Sequence, residues 1–203
     1  MGATVRLNPI ATGEAHAFPD VSCSATECLA VGQYYNDGAK RHGNWGIWLD
    51  LNGTPTGGTF YFDLGGLHDD VLVEYSPPQG KYLVTWTLDL GFPRGMLLAA
   101  GATSGTAFST SPSTGRFTTM PYNSGTQTFV QVLGGWDYHV IAQQLESTGA
   151  PVGCAVLVSN GSTSDSGTAG AANPKLRQFL AVYRHDQTNL RVLLLDGGNA
   201  SPP

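Results

Sequence analysis

The amino-acid sequence predicts an all-β protein folded as a β-propeller with four blades of four antiparallel strands. The first reason is a repeat: the glycine segments GTPTG, GATSG, GAPVG and GGNAS begin at Gly53, Gly101, Gly149 and Gly197, forty-eight residues apart each time. The second reason is that short apolar runs alternate with turns throughout, and no helical periodicity extends beyond about ten residues. Tandem units of about 40–50 residues with four strands each are typical of propeller blades, whereas a β-sandwich needs no constant period.

Each unit reads as four strands in a fixed order. The second strands are ECLAVGQ, KYLVTWT, QTFVQVL and QFLAVYR, and the third strands, including WGIWLDLN and NLRVLLLD, each lead into a glycine segment. The fourth strands, such as GTFYFD from Gly58, follow that segment, and the first strands are FPDVSCS, DDVLVEYS, RFTTMPYN and the weaker GTAGAANP. One domain over residues 1–203 is expected, with blades at about 17–63, 68–111, 115–159 and 166–197.

The last unit lacks a fourth strand after its glycine segment. The segment GATVRLNP from Gly2 aligns with GTAFSTSP from Gly105, so residues 3–8 are expected to pair beside residues 189–196 and close the last blade. A four-bladed monomer is favoured because the terminal strand reaches its own last blade at the lowest entropy cost. A dimer forming an eight-bladed ring remains the alternative.

Composition excludes several classes of partner. The chain has a net charge of −5 and only 10 Lys and Arg residues, which argues against nucleic acid and against an anionic membrane surface. No apolar run reaches the roughly 18–20 residues needed to span a bilayer, so no membrane insertion is expected. Hydrophobic residues make up 41% of the chain, enough for a substantial core despite the low charge.

The cysteines bear on the compartment. Cys23 and Cys28 lie in two short strand-like runs joined by SATE, and a tight hairpin would place them opposite each other, close enough for a disulfide. A disulfide would suit an extracellular or periplasmic protein. The alternative is two reduced, buried thiols, and Cys154 is expected to be a core residue.

The units resemble the tandem propeller repeats of bacterial secreted and surface proteins, which carry a Y-L-V-x-W second strand and an L-D-x-x-G third strand. Tyr82–Trp86, Phe179–Tyr183 and IWLDLNG from Ile47 carry the resemblance, and VSCSATECLAV resembles the variant with a cysteine pair across the first hairpin. These motifs are structural. The resemblance therefore implies a fold and transfers no catalytic residue.

Candidate ligand-binding residues lie in the loops between second and third strands, on one rim of the propeller. Each loop contains an aspartate with aromatic or basic neighbours, the combination with which proteins hold sugars, although such aspartates also form turns. The first loop, YYNDGAKRHGNW, is the strongest candidate because its length exceeds the needs of a hairpin. The residues selected are Asp37, His42, Trp45, Asp89, Arg94, Trp136, Asp137, Tyr138, His185 and Asp186.

Three functions are compatible with these features. The favoured hypothesis is a non-enzymatic binding module that recognises carbohydrate or a protein surface through the rim. The alternatives are a structural component of a surface layer or filament, and a polysaccharide hydrolase or lyase that uses carboxylates at the channel mouth. No nucleophile elbow, zinc-protease motif, phosphate loop or dinucleotide fingerprint is present, so no catalytic residue, metal or cofactor is predicted.

Overall fold

The computed structural model describes residues 14–36, 38, 41–64, 66, 68–89, 91–111, 113, 115–134, 139–159, 166–185 and 189–196. Within these ranges all regular secondary structure consists of β-strands, and every strand pair is antiparallel. The all-β prediction is confirmed. Because no helix occurs in this part of the chain, none there is long and apolar enough to cross a membrane.

The first two sheets each contain four strands in chain order. The first sheet consists of β1 Glu14–Cys23, β2 Cys28–Asn36, β3 Arg41–Leu49 and β4 Phe60–Phe62. The second sheet consists of β5 His68–Ser76, β6 Lys81–Leu88, β7 Phe92–Ala99 and β8 Phe108–Ser109.

The third and fourth sheets follow the same order. In the third sheet the first strand is in two pieces, and the strands are β9 Arg116–Thr119, β10 Tyr122–Asn123, β11 Thr128–Gly134, β12 Val140–Glu146 and β13 Pro151–Ser159. The fourth sheet consists of β14 Ser166–Asn173, β15 Gln178–His185 and β16 Asn189–Asp196. The weakest predicted first strand, in the fourth unit, is therefore a strand.

The glycine turns explain the sequence period. Gly53, Gly101 and Gly149 have φ values of +79°, +69° and +83°, a left-handed conformation that strongly favours glycine. Gly53 N and Gly149 N each donate to a carbonyl three residues earlier, whereas in the second sheet Ala102 N makes the corresponding bond to Ala99 O. The period marks the turns from third to fourth strands, with a one-residue offset in the second sheet.

Neighbouring sheets stack through apolar faces. Between the first and second sheets, Trp48 meets Tyr82 edge to face with ring centroids 5.1 Å apart, and Phe62 meets Trp86 at 5.6 Å. Trp48 Nε1 also donates to Ala102 O at 2.9 Å. Each of these buried aromatic side chains contributes about 1.5–3 kcal/mol through the area it removes from water. Trp48 and Trp86 are thus core residues between the first and second sheets.

Similar cores join the remaining neighbours. Leu83, Met120, Phe129 and Leu145 pack between the second and third sheets. Between the third and fourth sheets the core comprises Val130, Val132, Val140, Ala142, Phe179, Ala181 and Tyr183. The sheets therefore stack in the order in which they occur along the chain.

The outer face of the fourth sheet is apolar and exposed. Cross-strand pairing places Leu180 opposite Leu194 and Val182 opposite Val192, and Leu190 lies on the same face. Leu190, Val192 and Leu194 are 76%, 65% and 56% exposed. Within the described residues no hydrophobic core joins this face to the first sheet. Residues 3–8, predicted to complete this sheet, lie outside the described part of the chain.

The first hairpin contains the predicted disulfide. Cys23 and Cys28 are cross-strand partners at the ends of β1 and β2, with their Cα atoms 4.0 Å apart, and their sulfurs are bonded. Cys154 is exposed on β13, so its prediction as a core residue is wrong. It lies on the edge strand of the third sheet, which has no further strand beside it in the described structure.

Candidate functional site

A cavity lies where the first strands of all four sheets converge. Its volume is about 430 Å³, within the range of about 300–1,000 Å³ typical of small-molecule sites. β1 contributes one aspartate, and β5 contributes one glutamate and two apolar residues. The end of β9 and the segment that joins it to β10 contribute one threonine and two apolar residues, and β14 contributes two small residues. The described lining residues are Asp20, Leu72, Val73, Glu74, Thr119, Met120, Pro121, Ala169 and Gly170.

Asp20 occupies a fixed position at this cavity. Its Oδ2 atom accepts a hydrogen bond of 2.8 Å from Val73 N on the neighbouring sheet, and Oδ1 accepts one of 2.9 Å from Val21 N. Val73 N points away from β6, along the edge of β5 that no strand of its own sheet covers. A carboxylate thus takes the place of a neighbouring strand and is held by backbone donors.

Ser22 repeats this arrangement two residues later. Its Oγ atom accepts a hydrogen bond of 2.9 Å from Tyr75 N, the next outward-pointing amide of β5. The Ser22 hydroxyl also interacts with the carboxyl group of Glu74, which lies between Val73 and Tyr75. Residues 20 and 22 lie on the same face of β1 because side chains alternate along a strand, and both reach the second sheet.

Both carboxyl groups have raised pKa values. Burial and, to a smaller extent, the negative charge of Asp20 together raise the pKa of Glu74 to about 7, against the opposing hydrogen bond from Ser22. Burial also raises the pKa of Asp20, while the bonds from Val73 N and Val21 N act in the opposite direction. Glu74 therefore exchanges its proton near neutral pH, in a cavity it shares with a second carboxyl group.

The part of the cavity lining that β14 forms depends on a glycine. A Cβ atom at Gly170 would lie 2.8 Å from Thr119 Cγ2 and 3.0 Å from Thr119 Oγ1, so only glycine lets β14 approach the third sheet this closely. Met120, beside Thr119, is 5% exposed, and its sulfur accepts a hydrogen bond of 3.6 Å from Thr85 Oγ1. These contacts bring the fourth sheet to the cavity formed by the other three.

The prediction that the first loop is long is wrong. β2 extends to Asn36 and β3 begins at Arg41, with Asn36 paired to Arg41, so the connection has four residues and not about twelve. His42 lies on β3 and contacts its cross-strand partner Tyr35, with ring centroids 5.3 Å apart. Strand pairing and aromatic cross-strand contacts extend the hairpin through a segment whose glycines and polar residues suggested a loop.

Trp45 also lies on β3, and it is buried. It is 5% exposed and belongs to the core on the outer face of the first sheet, with the ring of His16 5.7 Å away. His42 and Trp45 are three residues apart on one strand, so their side chains point to opposite faces of the sheet. The structure does not bring these two predicted residues into one site.

Asp89 lies in the connection between β6 and β7, and Arg94 is the third residue of β7. Asp89 is exposed with φ of +27°, in keeping with a turn-forming role, and Arg94 is half-buried on β7, paired with Trp86. The backbone of His185 ends β15, and its side chain is not described. The remaining predicted residues lie outside the described part of the chain: Asp37, Trp136, Asp137, Tyr138 and Asp186.

Sequence reasoning missed Asp20 and Glu74 although a signal was present. Both interrupt the apolar runs of predicted first strands, FPDVSCS and DDVLVEYS. First strands surround the central channel of a propeller, so an acidic residue within one of them points to the channel. Among the described residues, Asp20 and Glu74 included, no three His, Cys, Asp or Glu side chains form a group that could hold a metal ion.

Comparison with known proteins gives structural similarity alone. No model of a protein family matches the chain, and no curated protein matches it in sequence. Prolyl oligopeptidase B from Galerina marginata superimposes on 93% of this chain with a TM-score of 0.53 and 10% identity. A prolyl endopeptidase superimposes on 91% of it with a TM-score of 0.54 and 16% identity. The neuraminidase-like protein from A/bat/Guatemala/164/2009 superimposes on 95% of it with a TM-score of 0.52 and 9% identity.

These similarities define a class of fold. The matched proteins are of the β-propeller type, and the stacked antiparallel sheets identify the present chain as β-propeller-like. The chain spans 25% of the length of each of the two peptidases and 58% of the neuraminidase-like protein. At 9–16% identity the likeness concerns the fold, and it assigns no activity.

Replacing Glu74 with Gln should change how stability depends on pH. Because the pKa of Glu74 rises to about 7 on folding, the folded protein holds this proton more tightly, and ionisation destabilises it as pH rises from about 4.5 to about 7. Glu74→Gln should remove a loss on the order of 2 kcal/mol between pH 5 and pH 8, as measured by urea unfolding. Asp20, whose pKa is also raised by burial, adds a loss of the same sign that begins near its ordinary value of 3.8.

Glu146→Gln is the matched control, since Glu146 is exposed at the end of β12 and away from the cavity. It should retain the pH dependence of the unmodified protein. If the free energy of unfolding depended on pH equally in Glu74→Gln and in the unmodified protein, the burial of Glu74 would be contradicted.

Proposed function

We propose that this protein is a binding module that holds a small polar ligand, most simply one or two sugar rings, in the central cavity. The observation that supports this is the cavity itself, whose lining combines the carboxyl groups of Asp20 and Glu74 with apolar side chains. Carboxylates accept hydrogen bonds from sugar hydroxyls, and Asp20 is already oriented by two backbone donors. Apolar residues such as Leu72 and Met120 suit the C–H face of a sugar ring.

The rim residues selected from the sequence have a secondary role in this proposal. Asp89 lies in a connection between a second and a third strand, the type of loop expected on one rim of a propeller, and Arg94 is the third residue of the strand that follows. They would contact the part of a longer glycan that extends beyond the cavity. The proposed setting is extracellular or periplasmic, which the Cys23–Cys28 disulfide supports because such bonds persist in oxidising compartments.

A polysaccharide hydrolase or lyase is the second candidate, and the Asp20–Glu74 pair favours it. A carboxyl group with a pKa of about 7 beside a second carboxyl group can serve as a general acid. Binding requires only that the pair accept hydrogen bonds, whereas hydrolysis also requires a reacting bond between the two groups. Binding is therefore the simpler function for this geometry.

The ring is proposed to close as a four-bladed monomer, with residues 3–8 pairing beside β16. This strand is the outermost strand of its sheet in the described structure, and the exposed face formed with β15 is apolar. Closure would complete the fourth sheet and let the first sheet cover this face. The alternative is a second chain that completes an eight-bladed ring.

A glycan array tests the binding function with a cavity-filling variant. Ala169 is exposed and lines the cavity, so Ala169→Trp should fill it without disturbing the core and should abolish glycan binding. Ala171→Trp, two residues along the same strand and outside the cavity lining, is the matched control and should bind as the unmodified protein does.

Equal binding by both tryptophan variants would exclude the cavity as the site. If bound glycans are cleaved by the unmodified protein and not by Glu74→Gln, the hydrolase or lyase function is correct instead.

Deletion of residues 1–8 tests ring closure. The unmodified chain should have the mass of a monomer in light scattering, and the truncated chain should aggregate or unfold because the edge of β16 and its apolar face lose their cover. A stable dimer of the full chain would support the eight-bladed ring. A truncated chain that remains a folded monomer would contradict closure by residues 3–8.

A further inference from the structure

The cavity has an unbalanced negative charge. Asp20 and Glu74 both line it, and no Lys, Arg or His occurs among the lining residues that the structure describes. Asp20 is tethered through Val73 N and Val21 N, so its carboxylate cannot rotate away from the cavity. Two carboxyl groups in a partly desolvated space are costly to ionise together unless a cation lies between them.

Among the residues that the structure describes, those packed around the pair offer hydrogen bonds but no compensating charge. On β1 the neighbouring polar side chain is Ser22, and on β5 the residues flanking Glu74 are Val73 and Tyr75. The facing segment of the third sheet presents Thr119 and Met120, and β14 presents Ala169 and Gly170. A ligand would therefore have to supply the positive charge itself.

We propose that the cavity seats a protonated amino group of its ligand between Asp20 and Glu74, and thus that the preferred ligands are amino sugars over neutral or N-acetylated sugars. This inference rests on the proposed function. An ammonium group offers three N–H donors and no acceptor, which complements two carboxyl groups that are both able to accept. Thr119, Leu72 and Met120 also line the cavity, and they add one hydroxyl and apolar surface to the site.

Proton release is a specific consequence of this arrangement. Below pH 7 Glu74 is largely protonated in the unliganded protein, because its pKa is raised to about 7. An ammonium group placed beside it favours the carboxylate and lowers that pKa, so binding at pH 6 should expel a proton into solution. A neutral sugar in the same cavity would have no reason to release it.

The test compares the β-1,4-linked disaccharide of glucosamine with its fully N-acetylated form by titration calorimetry at pH 6, in two buffers with different ionisation enthalpies. The amino form should bind at least about tenfold more tightly, the usual value of a charged hydrogen bond, and should release up to about one proton per molecule bound. In Glu74→Gln the preference should fall to about threefold or less and proton release should disappear, whereas Glu146→Gln should retain both.

Each outcome separates this inference from the proposed function. Suppose that both disaccharides bind the unmodified protein equally, release no proton and fail to bind the Ala169→Trp variant. The cavity then binds sugars, and the amino-group inference is overturned. If neither disaccharide binds but other glycans on the array do, the inference is also overturned. If no glycan binds at all, both the inference and the proposed function fail.

Discussion

The fold depends on how the innermost strand of the second sheet satisfies its outward-pointing amides. β5 pairs with β6 on one side only, so the N–H groups of Val73 and Tyr75 face the centre of the molecule. An unpaired buried amide costs about 1–3 kcal/mol, and no further strand is present there to accept it. Asp20 and Ser22 accept these two hydrogen bonds from the first sheet, and so fix how β1 and β5 approach each other.

Further contacts between the same two sheets reinforce this junction. The Tyr82 hydroxyl accepts a hydrogen bond of 3.0 Å from Ser24 N and donates one of 2.7 Å to Glu27 O. A side chain of the second sheet is therefore hydrogen-bonded to the turn of the hairpin that the disulfide closes. Trp48 and Phe62 then pack on Tyr82 and Trp86. Asp20 and Val73, whose hydrogen bond joins the two sheets, also line the cavity.

The same solution creates the chemistry of the site. Using a carboxylate to cap a strand edge brings a negative charge into the centre of the sheets, and Glu74 follows at the adjacent position on β5. Serine alone could cap an amide, as Ser22 does, so the aspartate adds charge that the junction itself does not require. A structural role and a ligand-binding role therefore coincide in Asp20, while Glu74 accepts no backbone amide in the described contacts and is the cleaner probe of binding.

Much of the fold was predictable from the sequence because its rules are local. Alternating apolar residues and turn glycines gave the strand order of each sheet, and the spacing of Cys23 and Cys28 gave the disulfide. The site was not predictable in the same way. Tyr35 and His42 suggested a loop from composition, but cross-strand pairing made them strand residues, and the position of Asp20 beside Glu74 depends on two sheets distant in sequence. Local patterns contain no information about which edges of distant strands will meet.

The most direct test of this account is a titration of the Glu74 side-chain carboxyl by carbon-13 NMR. The account predicts a midpoint of about 7 in the unmodified protein, and a lower midpoint in Asp20→Asn because the neighbouring charge is removed while the burial remains. A midpoint near 4.5, the ordinary value for glutamate, would place Glu74 in open solvent. The cavity between the four sheets, and the function proposed for it, would then be contradicted.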